Sequence, residues 1–198
     1  ITPAGPYVVY NDDVIDDAAG NGNGLVDYGE SIILGAELKN VGPDTAYGVT
    51  ATLSTSDTYI TINDNIENFG DIVGDNGTAY IADAFAFDVS PDIPDGHYIS
   101  MDLTMTDVDD SVWTSTFKLT AHAPEVQYQA VDISDPTGND NGVLDPGETG
   151  DFVVSLENLG SGQVDNVTGT LSESDPYITI ADNTGDFGTL AGSGGTGD

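Results

Sequence analysis

Residues 97–106 read "HYISMDLTMT", with Ile99, Met101, Leu103 and Met105 on every second position and Tyr98, Ser100, Asp102 and Thr104 between them. That two-residue period is the mark of a strand with one face in a core; a helix would repeat every three or four residues. Working outward, the same alternation recurs at Leu34, Ala36 and Leu38 in "SIILGAELKN", at Val49, Ala51 and Leu53 in "YGVTATLS", and at Ile60 and Ile62 in "TYITI". Downstream it returns at Phe85, Phe87 and Val89 in "DAFAFDVS" and at Trp113, Phe117 and Leu119 in "VWTSTFKLT". With "YVVY" near the start, this makes seven or eight short strands separated by Gly, Pro, Asn and Asp turns. A sheet with one apolar face needs a second sheet to cover it, so the predicted unit is an antiparallel β-sandwich of about 100 residues, with a closed barrel as the less favoured closure.

The pattern occurs twice. Shifting the chain by 118 positions aligns residues 1–80 with 119–198 without a gap, at about 34 identities in 80 pairs. "GNGNGLVDYGE" falls on "GNDNGVLDPGE", and "VTATLSTSDTYITINDN" falls on "VTGTLSESDPYITIADN". The sequence therefore divides into a first repeat at 1–122 and a second at 123–198, joined by the short, proline-bearing "TAHAPEVQ".

Thirty-five acidic residues stand against two lysines, Lys39 and Lys118, giving a net charge of -33. Such a surface repels phosphate backbones and anionic lipid, which sets nucleic acid and membrane binding aside. The carboxylates are interleaved with apolar residues rather than gathered in a block, as a folded chain requires. Two explanations compete for the charge: adaptation to high salt, and cation-binding turns. Aspartate outnumbers glutamate about fourfold and sits mostly beside Gly and Asn, which favours the turns. The chain lacks cysteine, so thiol chemistry and disulfides are excluded. No run approaches the roughly 20 apolar residues of a membrane helix. "ITPAGPYVVY" lacks the basic start of a signal peptide, so a targeting segment would have been removed or would lie outside this sequence.

The loop "AGNGNGLVDYGE" concentrates the cation chemistry. With Gly24 at the sixth position of a calcium loop, Asn21 and Asn23 take the third and fifth, Leu25 the seventh through its carbonyl, Asp27 the ninth and Glu30 the twelfth. The second repeat reproduces this at Asn139, Asn141, Gly142, Val143, Asp145 and Glu148. Calcium takes six to eight hard oxygens at about 2.3–2.6 Å, which a tight loop can gather from alternate residues. Position one is Ala19 or Thr137, so Asp17 and Asp135, two residues earlier, are the candidate replacements. The competing reading makes both loops simple turns, since Gly, Asn and Asp tolerate left-handed backbone. Carboxylates held at fixed spacing repel one another unless a cation lies among them, and that favours the cage. A second acidic group, Asp107, Asp109 and Asp110, lies in a predicted hairpin, and Glu125 and Asp132 lie near the joint; these read as solvated turns before they read as ion sites.

The pattern "D..GN.NG..D.GE", followed by "N.G...A..V...L" and "SD.YI.I", resembles immunoglobulin-like modules of bacterial surface and secreted proteins. It is similar to bacterial cell-adhesion-related domains and to the immunoglobulin-like repeats that trail gingipain-type secreted peptidases. The resemblance covers both repeats. It implies an all-β tandem of immunoglobulin-like sandwiches, secreted or cell-surface placement and a spacer or adhesive role, with any peptidase activity belonging to another domain.

Nothing catalytic stands out. His97 lies in the turn "PDGHY" and His122 in the joint, there is no "GxSxG" elbow, and with 35 acids close carboxylate pairs arise by chance. Both histidines read as solvent-exposed, and the recurring Tyr10/Tyr128 and Tyr59/Tyr177 read as strand residues. Sequons at Asn76 and Asn166 are potential glycan acceptors, although they do not coincide between repeats.

The second repeat carries no counterpart of residues 81–118, so Phe152, Val154, Leu156, Leu171, Ile178 and Ile180 are expected to need strands from elsewhere. Three sources are open: the sequence is a cut piece, it continues further, or another copy supplies strands, in which case "ITPAGPYVVY" serves as linker or donated strand. The sequence thus predicts a calcium-stiffened structural repeat of an extracellular fibre, stalk or adhesin whose partners are copies of itself. The alternative is a non-catalytic, carbohydrate- or protein-binding region of a secreted hydrolase.

Overall fold

The computed structural model describes residues 5–198 of an all-β chain. Two compact units are present, one ending at His122 and the other spanning Ala123–Asp198.

The first unit contains β1 (Val8–Asp16), β2 (Val26–Asp27), β3 (Ser31–Asn40), β4 (Ala46–Ser54), β5 (Ile60–Asp64), β6 (Ile66–Ile72), β7 (Gly77–Val89), β8 (Tyr98–Thr106) and β9 (Val112–His122). They form a four-stranded sheet in the order β1-β3-β7-β5 and a five-stranded sheet in the order β2-β9-β8-β4-β6. Every pairing is antiparallel except the short parallel match of β2 with β9. The alternation in β8 does what the sequence requires of it: Ile99, Met101, Leu103 and Met105 are buried while Tyr98, Ser100 and Asp102 face out. Leu34, Ala36 and Leu38 of β3 and Phe85 and Phe87 of β7 join the same core cluster from the other sheet, as a sandwich demands. Tyr10 of β1 stacks on Phe117 of β9 with ring centroids 4.3 Å apart and planes within 4°, closing one margin between the sheets.

The start of the chain, read as a linker or donated strand, is outside the described residues at 1–4; from Val8 onward it is β1, paired along β3.

The second unit repeats the first unit's early strands. β10 (Val126–Ser134) pairs with β11 (Asp151–Asn158), and β14 (Gly195–Gly197) adds three residues on the far side of β11. β12 (Val164–Thr170) pairs with β13 (Thr184–Leu190). Register carries over with its irregularities: the shift between Tyr10 and Asp12 in β1 recurs between Tyr128 and Ala130 in β10. Burial does not. Leu34 is 0% exposed and its repeat counterpart Phe152 is 46%; Leu53 is 1% exposed and Leu171 is 47%. In the first unit β3 is paired with β7 from Ser31 to Asn40 and β4 with β8, whereas β11 is paired on the β14 side only from Leu156 to Asn158.

A buried asparagine organises each unit. Asn40 accepts hydrogen bonds from the N–H groups of Tyr7 (3.0 Å) and Gly42 (3.0 Å) and donates to the carbonyls of Asp44 (2.8 Å) and Ile72 (3.0 Å). Asn158 repeats this with the N–H groups of Glu125 (2.9 Å) and Gly160 (3.1 Å) and the carbonyls of Gly162 (2.8 Å) and Leu190 (3.4 Å). Both are fully buried, so each amide must satisfy its donors and acceptors internally.

Candidate metal centre

The loop of residues 17–30 leaves β1 and returns into β3, and the pairing of Asp16 with Ile33 fixes the two ends close together. Gly22 and Gly24 take φ of 71° and 79°, which lets the chain double back on itself. Inside this turn the polar side chains wire to one another. The Asp17 carboxylate is buried and accepts the N–H groups of Asn23 (2.8 Å) and Gly24 (3.1 Å). Asp17 thus has its carboxylate turned toward the loop backbone.

Asn21 and Asn23 each donate their side-chain amide to Oδ2 of Asp27 at 2.7 Å. Their own amide oxygens accept from Asn23 N–H (3.0 Å) and Leu25 N–H (2.8 Å). Glu30 Oε1 accepts the Asn21 N–H at 2.9 Å. The remaining Asp27 oxygen is the informative one. Asp27 is 2% exposed, and among the described residues its Oδ1 has no hydrogen-bond partner. Buried carboxylate oxygens are costly unless something positive meets them. Burial pushes the Glu30 carboxyl above its ordinary range; the Asn21 N–H opposes this, the charges of Asp27 and Asp17 raise it further, and the Asp27 N–H opposes it more weakly.

The second loop is wired alike. Asp135 is fully buried and accepts from the N–H groups of Gly142 (3.0 Å) and Asn141 (3.3 Å). Asn139 and Asn141 donate to Oδ2 of Asp145 at 2.9 and 3.2 Å, and Oε1 of Glu148 accepts from Asn139 N–H at 3.1 Å. Val143 donates its N–H to Asn141 at 2.7 Å, as Leu25 does to Asn23. Oε2 of Glu148 also accepts the Asp145 N–H at 3.1 Å. In both loops a glycine lies directly against the glutamate, Gly20 on Glu30 and Gly138 on Glu148, where a β-carbon would collide with the carboxyl.

Five of the six predicted ligands in each loop are thus brought together through side-chain or carboxylate hydrogen bonds, and Leu25 and Val143 join through their backbone. Among the described residues no three His, Cys, Asp or Glu side chains form a metal-ready group by themselves. The donor set is a mixed one, in which amide oxygens and backbone stand beside the carboxylates. That is oxygen chemistry suited to a hard cation such as calcium.

The other acidic residues form no such cage: one group is a turn and Asp132 lies in a strand. Oδ1 of Asp107 accepts the N–H groups of Asp109 (3.0 Å) and Ser111 (2.9 Å), capping the β8–β9 hairpin, and Asp132 is an exposed residue of β10. The sequons at Asn76 and Asn166 are both exposed, at φ of 74° and 56°. His97 is a correction to the surface-turn reading. Its Nε2 lies 2.7 Å from Oδ2 of Asp57 and its ring meets Tyr59 edge-on at 5.2 Å. The two partners are 40 residues apart, so no local signal links them. Asn40 and Asn158 were also missed as organising residues; the clue was their recurrence in "N.G" at matching repeat positions.

No protein-family model matches the chain and no curated protein matches it. Among solved structures, the crystal structure of the D312A form of BcpA, the major pilin subunit of Bacillus cereus, aligns over 92% of this chain at 11% identity and a TM-score of 0.35. The structure of BcpA without that change aligns over 91% at 11% identity and a TM-score of 0.30. The chain spans 66% and 65% of those two structures. Scores of this size do not establish a shared fold, so the sandwich rests on its own strand order and register.

Proposed function

We propose that this chain is a calcium-stiffened tandem of β-sandwich modules serving as a structural repeat in an extracellular fibre, stalk or adhesin. The observation that carries the reading is the buried Asp27 carboxyl, whose Oδ1 lacks a partner inside a loop built almost wholly of oxygen donors. The recurrence of the same wiring 118 residues later supports one site per module. Asp17, Asn21, Asn23, Leu25, Asp27 and Glu30 would hold the first ion, and Asp135, Asn139, Asn141, Val143, Asp145 and Glu148 the second. A bound divalent ion neutralises charge in a chain carrying -33 and ties the β1–β3 turn to one geometry.

The fibre role draws support from the tandem arrangement of two homologous modules and the lack of any catalytic constellation in the sequence. Phe152, Leu171 and Ile178 are exposed, and strands of the β7–β9 kind would cover them, whether from the same chain or from a neighbouring copy. Light scattering and electron microscopy of native material decide between these sources: monomers alone remove strand addition between copies. The calcium reading is tested by thermal melts in calcium and in chelator, and an identical melting temperature in both would remove it.

A further inference from the structure

The calcium loop of the first unit touches the end of that unit's last strand. β2, which carries the ligand Asp27, runs parallel to the final two residues of β9, with Val26 opposite Ala121 and Asp27 opposite His122. The N–H of Tyr28 donates to the His122 carbonyl at 2.9 Å. From the other side the Ala121 N–H donates to the His97 carbonyl at 2.9 Å, and Gly96 N–H donates to the Ala121 carbonyl at 3.0 Å. Val26 and Ala121 are both buried. A two-residue strand has almost no stability of its own, so its position is set by whatever holds its neighbours.

We propose that calcium in the first loop acts as a clasp on the exit of β9, holding residues 121–122 in register through Val26, Asp27 and Tyr28. The inference rests on the calcium reading above and adds a consequence to it. An ion drawing Asp17, Asn21, Asn23, Asp27 and Glu30 to one point fixes both sides of β2, since Glu30 lies just beyond it and Asn23 just before. Fixing β2 fixes the hydrogen-bonding edge on which the last residues of β9 lie. Ala123 follows immediately, so calcium sets how firmly the chain is held where it leaves the first unit. The second loop has no such role among the described residues, where Leu144 and Asp145 belong to no strand.

The test is amide hydrogen exchange on the whole chain carrying Asp145→Asn and Glu148→Gln, which confines calcium to the first loop, alongside calorimetric titration with calcium. At free calcium about ten times the dissociation constant, exchange at Tyr28 and Ala121 is expected to slow about tenfold, while amides in the middle of β8, at Met101 and Leu103, stay unchanged. Calcium binding without slower exchange at Tyr28 and Ala121 overturns the clasp and leaves the calcium reading standing. Uniform slowing over β8 also overturns it, because the ion would then stabilise the unit as a whole. Absence of calcium binding overturns both.

Discussion

His97 Nε2 and Asp57 Oδ2 lie 2.7 Å apart, joining the turn before β8 of one sheet to the connection between β4 and β5. Burial raises the Asp57 carboxyl, but the hydrogen bond from His97, the Tyr59 N–H and the His97 charge together hold it below the ordinary aspartate range. A carboxyl depressed on folding contributes stability that is present above its unfolded value, near 3.9, and is lost as pH falls through the lower folded value. Thermal melts between pH 5 and about 2 should therefore show an acid-side decline that Asp57→Asn makes shallower. An unchanged slope would mean the pair contributes nothing.

Removing the proposed calcium ligands one loop at a time should remove one ion at a time. Asp27→Asn is expected to reduce the stoichiometry from two to one, and Asp145→Asn to do the same independently, as read by calorimetric titration. At calcium ten times the dissociation constant each site adds about 1.4 kcal/mol, so each variant should lose that calcium-dependent increment and keep its stability in chelator.

Gly20→Ala offers a test that leaves every ligand in place. The new methyl collides with the Glu30 carboxyl, and Gly138→Ala does the same to Glu148. Calcium affinity should fall by about tenfold or more at the altered loop, while the melting temperature in chelator changes little.

Asn40→Ala would strand two N–H groups and two carbonyls, those of Gly42 and Ile72 at buried bonds and those of Tyr7 and Asp44 at part-buried ones. At about 1–3 kcal/mol for each unsatisfied buried group, even partial rehydration leaves a loss of about 3 kcal/mol, measurable by urea denaturation. Asn40→Asp should also destabilise, because a carboxylate cannot donate to the carbonyls of Asp44 and Ile72.

Much of this architecture is written in local sequence, because one buried face per strand forces the two-residue period seen in β3, β4, β7 and β8. The hydrogen-bonded wiring of the two loops also had a local signal, since Asp17, Asn21, Asn23, Gly24, Asp27 and Glu30 recur 118 residues later while Gly22 becomes Asp140. β6 was hidden: only Phe69 and Ile72 are buried there, and Gly70 at φ 71° interrupts the alternation. β2 is too short to leave a period. Context governs the rest. Residues 59–62 and 177–180 share the sequence "YITI", yet β5 forms beside β7 in the first unit and the second stretch forms no strand. The four residues are identical while Pro176 stands where the first repeat has Thr58, and the first stretch alone has a β7 edge to pair with, so flank and partner edge together make the difference. His97 with Asp57, and the four partners of Asn40, depend on residues far apart in the chain, which no periodicity reports.

The asparagine corner has a mechanical meaning. Just before β1, the Tyr7 N–H is bolted to Asn40 and its carbonyl accepts from Val41 at 2.8 Å; Glu125 is held in the same way by Asn158 and Leu159 before β10. In the proposed fibre, tension along the chain would meet a buried side-chain rivet before it reached any sheet ladder. Each module would bear load first at its threshold, and peeling of the leading strand would begin only after that rivet had sheared.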